Sequence, residues 1–330
     1  ITGYRVSTIH SLLGLRVQTD YRTNTTTLIP KNQDKKRDLL LLIDEASYID
    51  SHLLQIIFKG TEQCKIIFIG DPAQLTPVKA TSTPVFEANF NGAALKQVVR
   101  QAEGNPIVDL STKFRHAVNT GEFFTFKPDG HHIRHMRRDD FNAAIELEFT
   151  RPDWRYQDSK ILGWTNKCVI GYTHFVRNLA KGDPNFQVGD YAVCNSFIQL
   201  GKASIKTDQM IQITGISEPA VELGVVGNWM TIDHVHKAFQ PKSLEAKNLR
   251  LKQARAQGDF STVSAIESSW IDLRAAYSCT VNKAQGSTFD SVFIDLDDIS
   301  RCHQGNQIAR MLYVAVSRAR NHVFLTGDLV

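Results

Sequence analysis

The sequence predicts an α/β protein of two lobes, each built on a parallel sheet, with β-rich insertions. Residues 39–43 form an unbroken aliphatic run, and residues 65–69 form a second apolar run. Runs without polar alternation are typical of strands buried on both faces of a parallel sheet. A helix-like stretch separates the two runs, and short β-rich segments punctuated by Gly and Asn follow at 186–235. A βαβ unit with a later β-rich region favours this class.

The helix between the two runs has recognisable limits. Asp50 and Ser51 can cap its first turn, and Gly60 can end it. A crossover of this kind makes the flanking strands parallel, so we expect their carboxyl ends to lie at the same edge of the sheet. The apolar residues predicted to share one face of the helix are Leu53, Leu54, Ile57 and Phe58.

Polar side chains follow both predicted strands. Asp44 and Glu45 come directly after the first run, and Gln74 follows the second within the segment Gly-Asp-Pro-Ala-Gln-Leu at 70–75. Two carboxylates at a strand end can hold Mg²⁺ and orient an attacking water, and a neighbouring Gln can reach the same phosphate. A buried strand followed by an ordinary polar turn is the plainer interpretation of each segment taken alone.

Composition sets broad bounds on the class of protein. A hydrophobic content of 42% and a charged content of 22% in 330 residues are typical of a soluble globular protein with two or three domains. No apolar run approaches the roughly 20 residues that cross a bilayer, so no membrane partner is expected. The five cysteines are scattered without a CxxC pair, which fits a reducing cytoplasm. A net charge of +4 permits nucleic-acid binding without requiring it.

Four segments resemble motifs of superfamily 1 DNA helicases. Residues 44–47 (Asp-Glu-Ala-Ser) resemble motif II, 70–75 motif III, 276–287 motif V and 311–320 motif VI. Several matches in the right order are more specific than one. The nearest resemblance is to the Dda-type phage helicases of the RecD-like branch, which move 5′ to 3′ on single-stranded DNA. Asp-Glu-Ala-Ser favours this branch because UvrD-like relatives usually carry Asp-Glu-x-Gln-Asp.

The resemblance implies two RecA-like P-loop NTPase-type lobes, an inserted β-hairpin pin and an inserted small β-barrel with a helical hairpin. It further implies an ATP hydrolase that unwinds DNA in phage replication, recombination or repair. Asp44 and Glu45 would hold Mg²⁺ and water, Gln74 would sense the γ-phosphate, and arginines would add positive charge. The residues implied to act in catalysis or to bind ATP are Asp44, Glu45, Gln74, Arg100, Gln285, Gly286 and Arg318.

The resemblance also implies DNA contacts. Tyr21 would stack on the last base pair at the tip of the hairpin, although a cross-strand packing Tyr is an open alternative. Thr8 and His10 have a capping and a packing alternative, and family members often carry His at the position of Asn282. The residues implied to contact DNA are Thr8, His10, Tyr21, Thr165, Asn166, Thr280, Asn282 and Lys283.

The predicted domains follow from these segments. Residues 1–105 form the first lobe with the hairpin at 15–36, residues 106–190 and 273–330 form the second, and residues 191–272 form the barrel and helices. Asn105 and Pro106 open a helix, 121–154 is expected to be a polar surface loop, and Gly258 separates two helices.

One required motif does not occur in the sequence. Phosphoryl transfer in this family needs a GxxxxGK[ST] loop, and the first residues already resemble motif Ia. We therefore expect a fragment that is inactive alone, with the loop upstream. The expected partners are single-stranded and fork DNA, with a single-stranded-DNA-binding protein as a further candidate, in the host cytoplasm if the gene is phage-encoded. A non-catalytic nucleic-acid-binding module and the helicase part of a relaxase or an RNA-directed relative stay open.

Overall fold

The computed structural model describes residues 5–20, 25–30, 34–77, 83–95, 104–183, 185–201 and 203–329. The chain divides into two compact units. The first comprises Ile1–Val99 with Val118–Thr120, and the second comprises Arg100–Ala117 with Gly121–Val330. None of the described helices has the combined length and apolar character of a bilayer-crossing helix.

The first unit contains a small parallel sheet and a hairpin. Its elements are α1 (Ile9–Leu12), β1 (Leu15–Asp20), β2 (Thr25–Pro30), β3 (Lys36–Arg37), β4 (Leu40–Ile43), a 3₁₀ turn (Ala46–Tyr48), α2 (Ser51–Lys59), β5 (Thr61–Glu62), β6 (Lys65–Phe68) and α3 (Pro84–Glu87).

The predicted βαβ unit is confirmed. β4 and β6 pair in parallel, with Ile43 opposite Phe68. The carboxylate of Asp50 accepts a hydrogen bond from the amide of Leu53 at 2.7 Å, which caps α2, and Gly60 follows its last residue. The polar segments that follow the two strands therefore lie at the same edge of the sheet.

The prediction that the first strand is buried on both faces is wrong for the described residues. Leu40 and Leu42 of β4 are 64% and 62% exposed, whereas Ile43 is buried. α2 covers one face of this two-stranded sheet, and its buried residues include Ile56, while the predicted Phe58 is largely exposed. An unbroken apolar run alone cannot distinguish one covered face from two.

The predicted hairpin is present in the backbone. β1 and β2 are antiparallel, with Leu15 opposite Pro30 and Asp20 opposite Thr25. Tyr21, predicted to stack on DNA at the hairpin tip, lies outside the described residues. Its role stays a prediction.

The second unit contains a larger parallel sheet and an antiparallel sheet. Its elements are α4 (Pro106–Thr120), β7 (Ile133–Met136), α5 (Arg138–Phe149), β8 (Ser159–Gly163), α6 (Asn166–Lys181), β9 (Tyr191–Cys194), β10 (Ile198–Leu200), β11 (Ala203–Ile205), β12 (Met210–Ile216), β13 (Ala220–Glu222), β14 (Val225–Ile232), β15 (His236–Pro241), α7 (Leu244–Ala256), α8 (Phe260–Ser269), β16 (Leu273–Ala275), β17 (Ser278–Thr280), α9 (Val281–Ala284), β18 (Phe289–Asp295), α10 (Leu296–Ile299), α11 (Gly305–Ser317) and β19 (Ala319–Thr326).

The parallel sheet has five strands in the order β17-β8-β18-β19-β7. The side chain of Asn105 caps α4 by accepting from the amide of Ile107 at 2.9 Å, as predicted. The predicted surface loop at 121–154 is wrong, because this region contains β7 and α5. α5 buries Phe141, Ile145 and Phe149, which recur every four residues and pack into the core of this sheet.

The β-rich insertion is an antiparallel sheet in the order β13-β14-β12-β9-β16, with β15 paired to β14. Its last strand, Leu273–Ala275, lies just beyond the predicted boundary at 272. The strand pairs of the described residues run in an open order, so closure into a barrel stays a prediction. The two predicted helices are α7 and α8, with Gly258 at φ 69° between them. α8 ends before the buried Trp270, where the backbone becomes extended.

A lysine is buried inside the parallel sheet, and the stability of the protein should depend on its charge. Lys160 of β8 donates to the carbonyl oxygen of Ala276, and its ammonium lies 5.1 Å from the centroid of the Phe289 ring. Burial lowers the pKa of Lys160 from 10.5 to about 8. The unfolded chain therefore binds more protons than the native protein between about pH 8 and pH 10.5.

We expect the free energy of unfolding to rise with pH across this interval, by about 3 kcal/mol from this group. Urea unfolding of the natural chain and of Lys160→Met at several pH values would measure the rise. The Met variant should lack it, since it keeps the apolar stem without a titrating group. Equal pH dependence in the two proteins would contradict the prediction.

Candidate functional site

The carboxyl edge of the first unit's sheet carries the predicted Mg²⁺ and phosphate residues. Glu45 adopts a left-handed backbone conformation, with φ 53° and ψ 42°, and its amide donates to Asp44 Oδ1 at 2.8 Å. The amide of Ala46 donates to the carbonyl oxygen of Ile69 at 2.9 Å, which links the two strand ends. A side chain other than glycine in this conformation is uncommon and is found at functional sites more often than elsewhere.

The turn after β6 packs closely on the turn after β4. A Cβ atom on Gly70 would lie 3.0 Å from the amide nitrogen of Ala46, so a larger side chain here would require the two turns to move slightly apart. Asp71 Oδ1 accepts from the amide of Ala73 at 3.0 Å, and the carbonyl oxygen of Asp71 accepts from the amide of Gln74 at 3.1 Å. Gln74 therefore lies at the same sheet edge as the two carboxylates.

The carboxylates of Asp44 and Glu45 suit a magnesium ion that is bound together with a nucleotide. Mg²⁺ prefers oxygen ligands and is usually held by one or two carboxylates together with substrate phosphates. Asp44 is exposed at the edge and Glu45 follows it directly. The described residues contain no group of three or more His, Cys, Asp or Glu side chains arranged for a metal. The residues present fit a metal that a nucleotide helps to hold, rather than a closed protein site.

Two of the described residues predicted to contact DNA belong to the first unit. Thr8 caps α1, its hydroxyl accepting from the amide of Ser11 at 3.1 Å, and His10 is exposed on the same short helix. Arg100, predicted to reach the γ-phosphate, lies outside the described residues.

The second unit brings together the residues predicted to face ATP. Arg318 follows the last residue of α11, and its side chain is buried, with 2% exposure. Its guanidinium donates to the carbonyl oxygen of Ser287 at 3.1 Å and to that of Val314 at 3.1 Å. Because Ser287 directly follows Gln285 and Gly286, motif VI is fixed against the glycine turn of motif V. Arg318 is therefore a buried, hydrogen-bonded residue at the end of α11.

The residues predicted to contact DNA form a second group in this unit. β17 and β8 pair in parallel, with Thr280 opposite Gly163. α9, which carries Asn282 and Lys283, and α6, which begins at Asn166, therefore start at the same sheet edge. The hydroxyl of Thr280 caps α9 through the amide of Lys283 at 3.4 Å.

A carboxylate of the protein itself, that of Asp298, binds at the amino end of α6. Oδ2 of the buried Asp298 accepts from the amides of Trp164 at 2.7 Å and Thr165 at 2.9 Å, and Oδ1 accepts from the Thr165 hydroxyl at 2.6 Å. Thr165 also caps the helix through the amide of Cys168. Asp298 lies 133 residues further along the chain than Thr165, so no local sequence pattern reveals this contact.

A neighbouring buried acid completes this edge. Arg138 donates to both carboxylate oxygens of Asp295, at 2.7 and 3.0 Å, and the hydroxyl of Tyr172 donates to the same carboxylate at 2.7 Å. Burial alone would raise the pKa of Asp295, but the hydrogen bonds from Arg138 and Tyr172 lower it below the usual value. These contacts hold the end of β18 against α5 and α6.

Sequence reasoning missed the residues that surround Lys283. Its ammonium lies 2.7 Å from Asp208 Oδ1 and 2.6 Å from Asn195 Oδ1, both in the β-rich insertion. Arg274 of β16 donates to Asn166 Oδ1 at 3.2 Å. No local signal marks these residues, because each acts through a partner distant in sequence.

Comparisons with known proteins identify helicases among the relatives of this chain. Residues 275–326 match the family model of the UvrD-like helicase C-terminal domain, and residues 1–137 match an AAA domain model. An ATP-dependent RecD2 DNA helicase of Deinococcus radiodurans is 25% identical over 99% of this chain. This chain is related to the superfamily 1 helicases of the RecD-like type. The predicted family and the predicted α/β class with parallel sheets are thereby confirmed.

This chain spans 41% of the length of the Deinococcus relative. An uncharacterised protein of Acanthamoeba polyphaga mimivirus is 21% identical, covering 94% of this chain and 80% of that protein. Among solved structures, Pif1 helicase from Bacteroides in complex with ADP-AlF3 and ssDNA has a TM-score of 0.46 at 14% identity, covering 88% of this chain and 71% of that one. The narrower Dda-type resemblance stays a prediction.

Proposed function

We propose that this chain supplies the ATP-hydrolysing and DNA-gripping residues of an ATP-dependent DNA helicase that moves along single-stranded DNA and unwinds forks. One observation carries the proposal. In the second unit, α9 joins the predicted DNA residues Thr280 and Lys283 to the turn at Gly286, on which Arg318 is fixed. A shift of that turn on nucleotide binding would therefore reach the DNA contacts through a single short helix.

The chemical roles follow from the residue types. Asp44 and Glu45 would hold Mg²⁺ and orient the attacking water, and Gln74 would sense the γ-phosphate. Arg100 and Arg318 would stabilise charge on the transferring phosphoryl group, which a planar fork of donors does better than an ammonium. ATP supplies the free energy, and cycles of binding and hydrolysis would change the grip on DNA.

The finer features are part of the same proposal. A Dda-type enzyme would move 5′ to 3′, use Tyr21 at its pin, meet a single-stranded-DNA-binding protein, and act in the host cytoplasm during phage DNA metabolism. The sequence contains no GxxxxGK[ST] loop, so the 330 residues alone should hydrolyse no ATP. Strand displacement by a protein that joins this chain to such a loop, on DNA and RNA forks of both polarities, tests direction and substrate.

The DNA-gripping part can be tested on the chain itself. We expect it to bind fluorescent oligothymidylate, with an affinity that falls as salt rises. Lys283→Ala should weaken binding and lower the slope of log affinity against log salt by about 0.7, the value of one phosphate contact on a single strand. Fluorescence anisotropy at several salt concentrations measures both.

Lys127→Ala is the matched control, because Lys127 is an exposed lysine outside the predicted site. It should leave the slope near that of the natural chain. Equal slopes for Lys283→Ala and Lys127→Ala would contradict the placement of the DNA site.

A non-catalytic nucleic-acid-binding module is the second candidate, since the residues predicted to contact DNA at the starts of α6 and α9 would serve it equally well. Joining a phosphate-binding loop to the chain separates the two. DNA-stimulated ATP turnover by the joined protein supports the helicase, whereas DNA binding without turnover supports the module.

A further inference from the structure

Lys283 is paired with a carboxylate of the β-rich insertion. Its ammonium lies 2.7 Å from Asp208 Oδ1, and the two side chains are 32% and 49% exposed. An ammonium that binds a DNA phosphate needs an anionic oxygen at this distance. The carboxylate of Asp208 therefore occupies the position in which a phosphate oxygen would bind Lys283.

The turn that carries Asp208 is held in place by its own hydrogen bonds. Asp208 has φ 61°, and its amide donates to the carbonyl oxygen of Cys194 at 2.7 Å. The amide of Lys206 donates to the side-chain oxygen of Gln209 at 2.9 Å. These bonds fix the carboxylate next to Lys283 by backbone geometry, and Asn is among the residues that tolerate this conformation best.

A second cation is connected to the same group of side chains. Asn195 accepts from Lys283 at 2.6 Å and donates to Asp272 Oδ2 at 2.7 Å. Arg274 places its guanidinium 4.0 Å from the same oxygen of Asp272 and donates to Asn166. Lys283 and Arg274 thus belong to one series of polar contacts, which runs through Asn195 and Asp272 and continues from Arg274 to Asn166.

We propose that Lys283 and Arg274 form one phosphate-binding surface for single-stranded nucleic acid, and that Asp208 occupies its Lys283 end in the free protein. The proposal rests on the proposed function, since the ligand is the same strand. It adds Arg274 as a contact and makes Asp208 a residue that lowers affinity. Binding then exchanges a carboxylate for a phosphate at Lys283.

The ion pair between Lys283 and Asp208 is weak enough for a phosphate to displace the carboxylate reversibly. Exposed ion pairs are weak, so a phosphate backbone that reaches several cations at once can displace a single carboxylate. Removal of the competing charge should tighten binding by a factor of about two to five.

The decisive variant is Asp208→Asn, which keeps the size of the side chain and suits the left-handed backbone. We expect it to bind oligothymidylate two- to five-fold more tightly than the natural chain, by about the factor given by one exposed ion pair. Glu218→Gln is the matched control, because it changes the net charge equally from an exposed position of the same insertion. Glu218 makes no ion pair within the described residues.

Two further variants locate the effect. In Lys283→Ala, the additional change Asp208→Asn should no longer tighten binding, because the carboxylate then has no ammonium to occupy. Arg274→Gln should lower the salt slope by about 0.7. Arg255→Gln, whose guanidinium pairs with Glu267 at 2.7 Å on α7 and α8, should leave the slope unchanged.

The outcomes separate this inference from the proposed function. Binding by the natural chain, with equal gains in Asp208→Asn and Glu218→Gln, would overturn the role of Asp208 and leave the DNA-binding proposal standing. The same gain from Asp208→Asn with and without Lys283 would also overturn it. An unchanged slope in Arg274→Gln would remove Arg274 from the surface. No binding by either the natural chain or Asp208→Asn would overturn both proposals.

Discussion

Arg318→Ala should lower the rate of ATP hydrolysis by a factor of about 10³ to 10⁵ in a protein that joins this chain to a phosphate-binding loop. The reason is the loss of a guanidinium that would stabilise charge on the γ-phosphoryl group as the bond breaks. Its hydrogen bonds to the carbonyl oxygens of Ser287 and Val314 set its position beside the turn of Gly286. Steady-state ATPase assays with saturating single-stranded DNA measure the effect.

Folding must be separated from chemistry, because Arg318 is buried and its removal leaves two carbonyl oxygens without this donor. The thermal transition and oligothymidylate affinity of the variant give the folded fraction. Arg320→Ala is the control, since Arg320 is 52% exposed and pairs with Asp290. Its rate should stay near that of the natural sequence. A loss in Arg318→Ala no larger than its unfolded fraction would argue against the catalytic role.

Asp298→Ala should lower the free energy of unfolding by about 3 to 5 kcal/mol. The substitution removes the acceptor of three hydrogen bonds, from the amides of Trp164 and Thr165 and from the Thr165 hydroxyl. It leaves these donors at a partly buried helix start, where the alanine methyl group cannot accept a hydrogen bond. Urea unfolding followed by circular dichroism gives the free energy.

Two companion variants make this test specific. Asp298→Asn keeps an oxygen for the two amides and should recover most of the stability. Asp153→Ala removes an acid whose side chain is 84% exposed and should change the free energy of unfolding by less than about 0.5 kcal/mol. If Asp298→Ala were no less stable than Asp153→Ala, the carboxylate would not be what holds the start of α6.

Local chemistry explains the parts of the fold that the sequence predicted correctly. Asp50 and Gly60 limit α2, and Asn105 opens α4, because caps act within three or four residues of the chain. The polar residues after β4 and β6 share an edge because a crossover between adjacent strands permits no other arrangement. Thr280 and Thr165, which the resemblance implied only as separate DNA contacts, come at the ends of two paired parallel strands and therefore lie at one edge of the second unit's sheet.

The missed features depend on partners distant in sequence or on weak patterns. Phe141, Ile145 and Phe149 carry the helical spacing of α5, but the polar residues around them gave the region the composition of a loop. β7 buries only Ile133 and therefore shows little apolar pattern at the edge of its sheet. The pairing of Lys283 with Asp208 joins residues 75 positions apart, and no property of either neighbourhood reveals it.

The left-handed backbone of Glu45 sets the stability of this protein against its proposed activity. A left-handed conformation costs a glutamate more than a glycine or an asparagine, so either substitution would relieve the strain without moving the chain. Selection for heat resistance alone would therefore favour the loss of this acid, whereas selection for turnover would retain it. Proteins evolved in the laboratory for heat resistance alone are therefore expected to replace Glu45, and to gain stability while they lose ATP turnover.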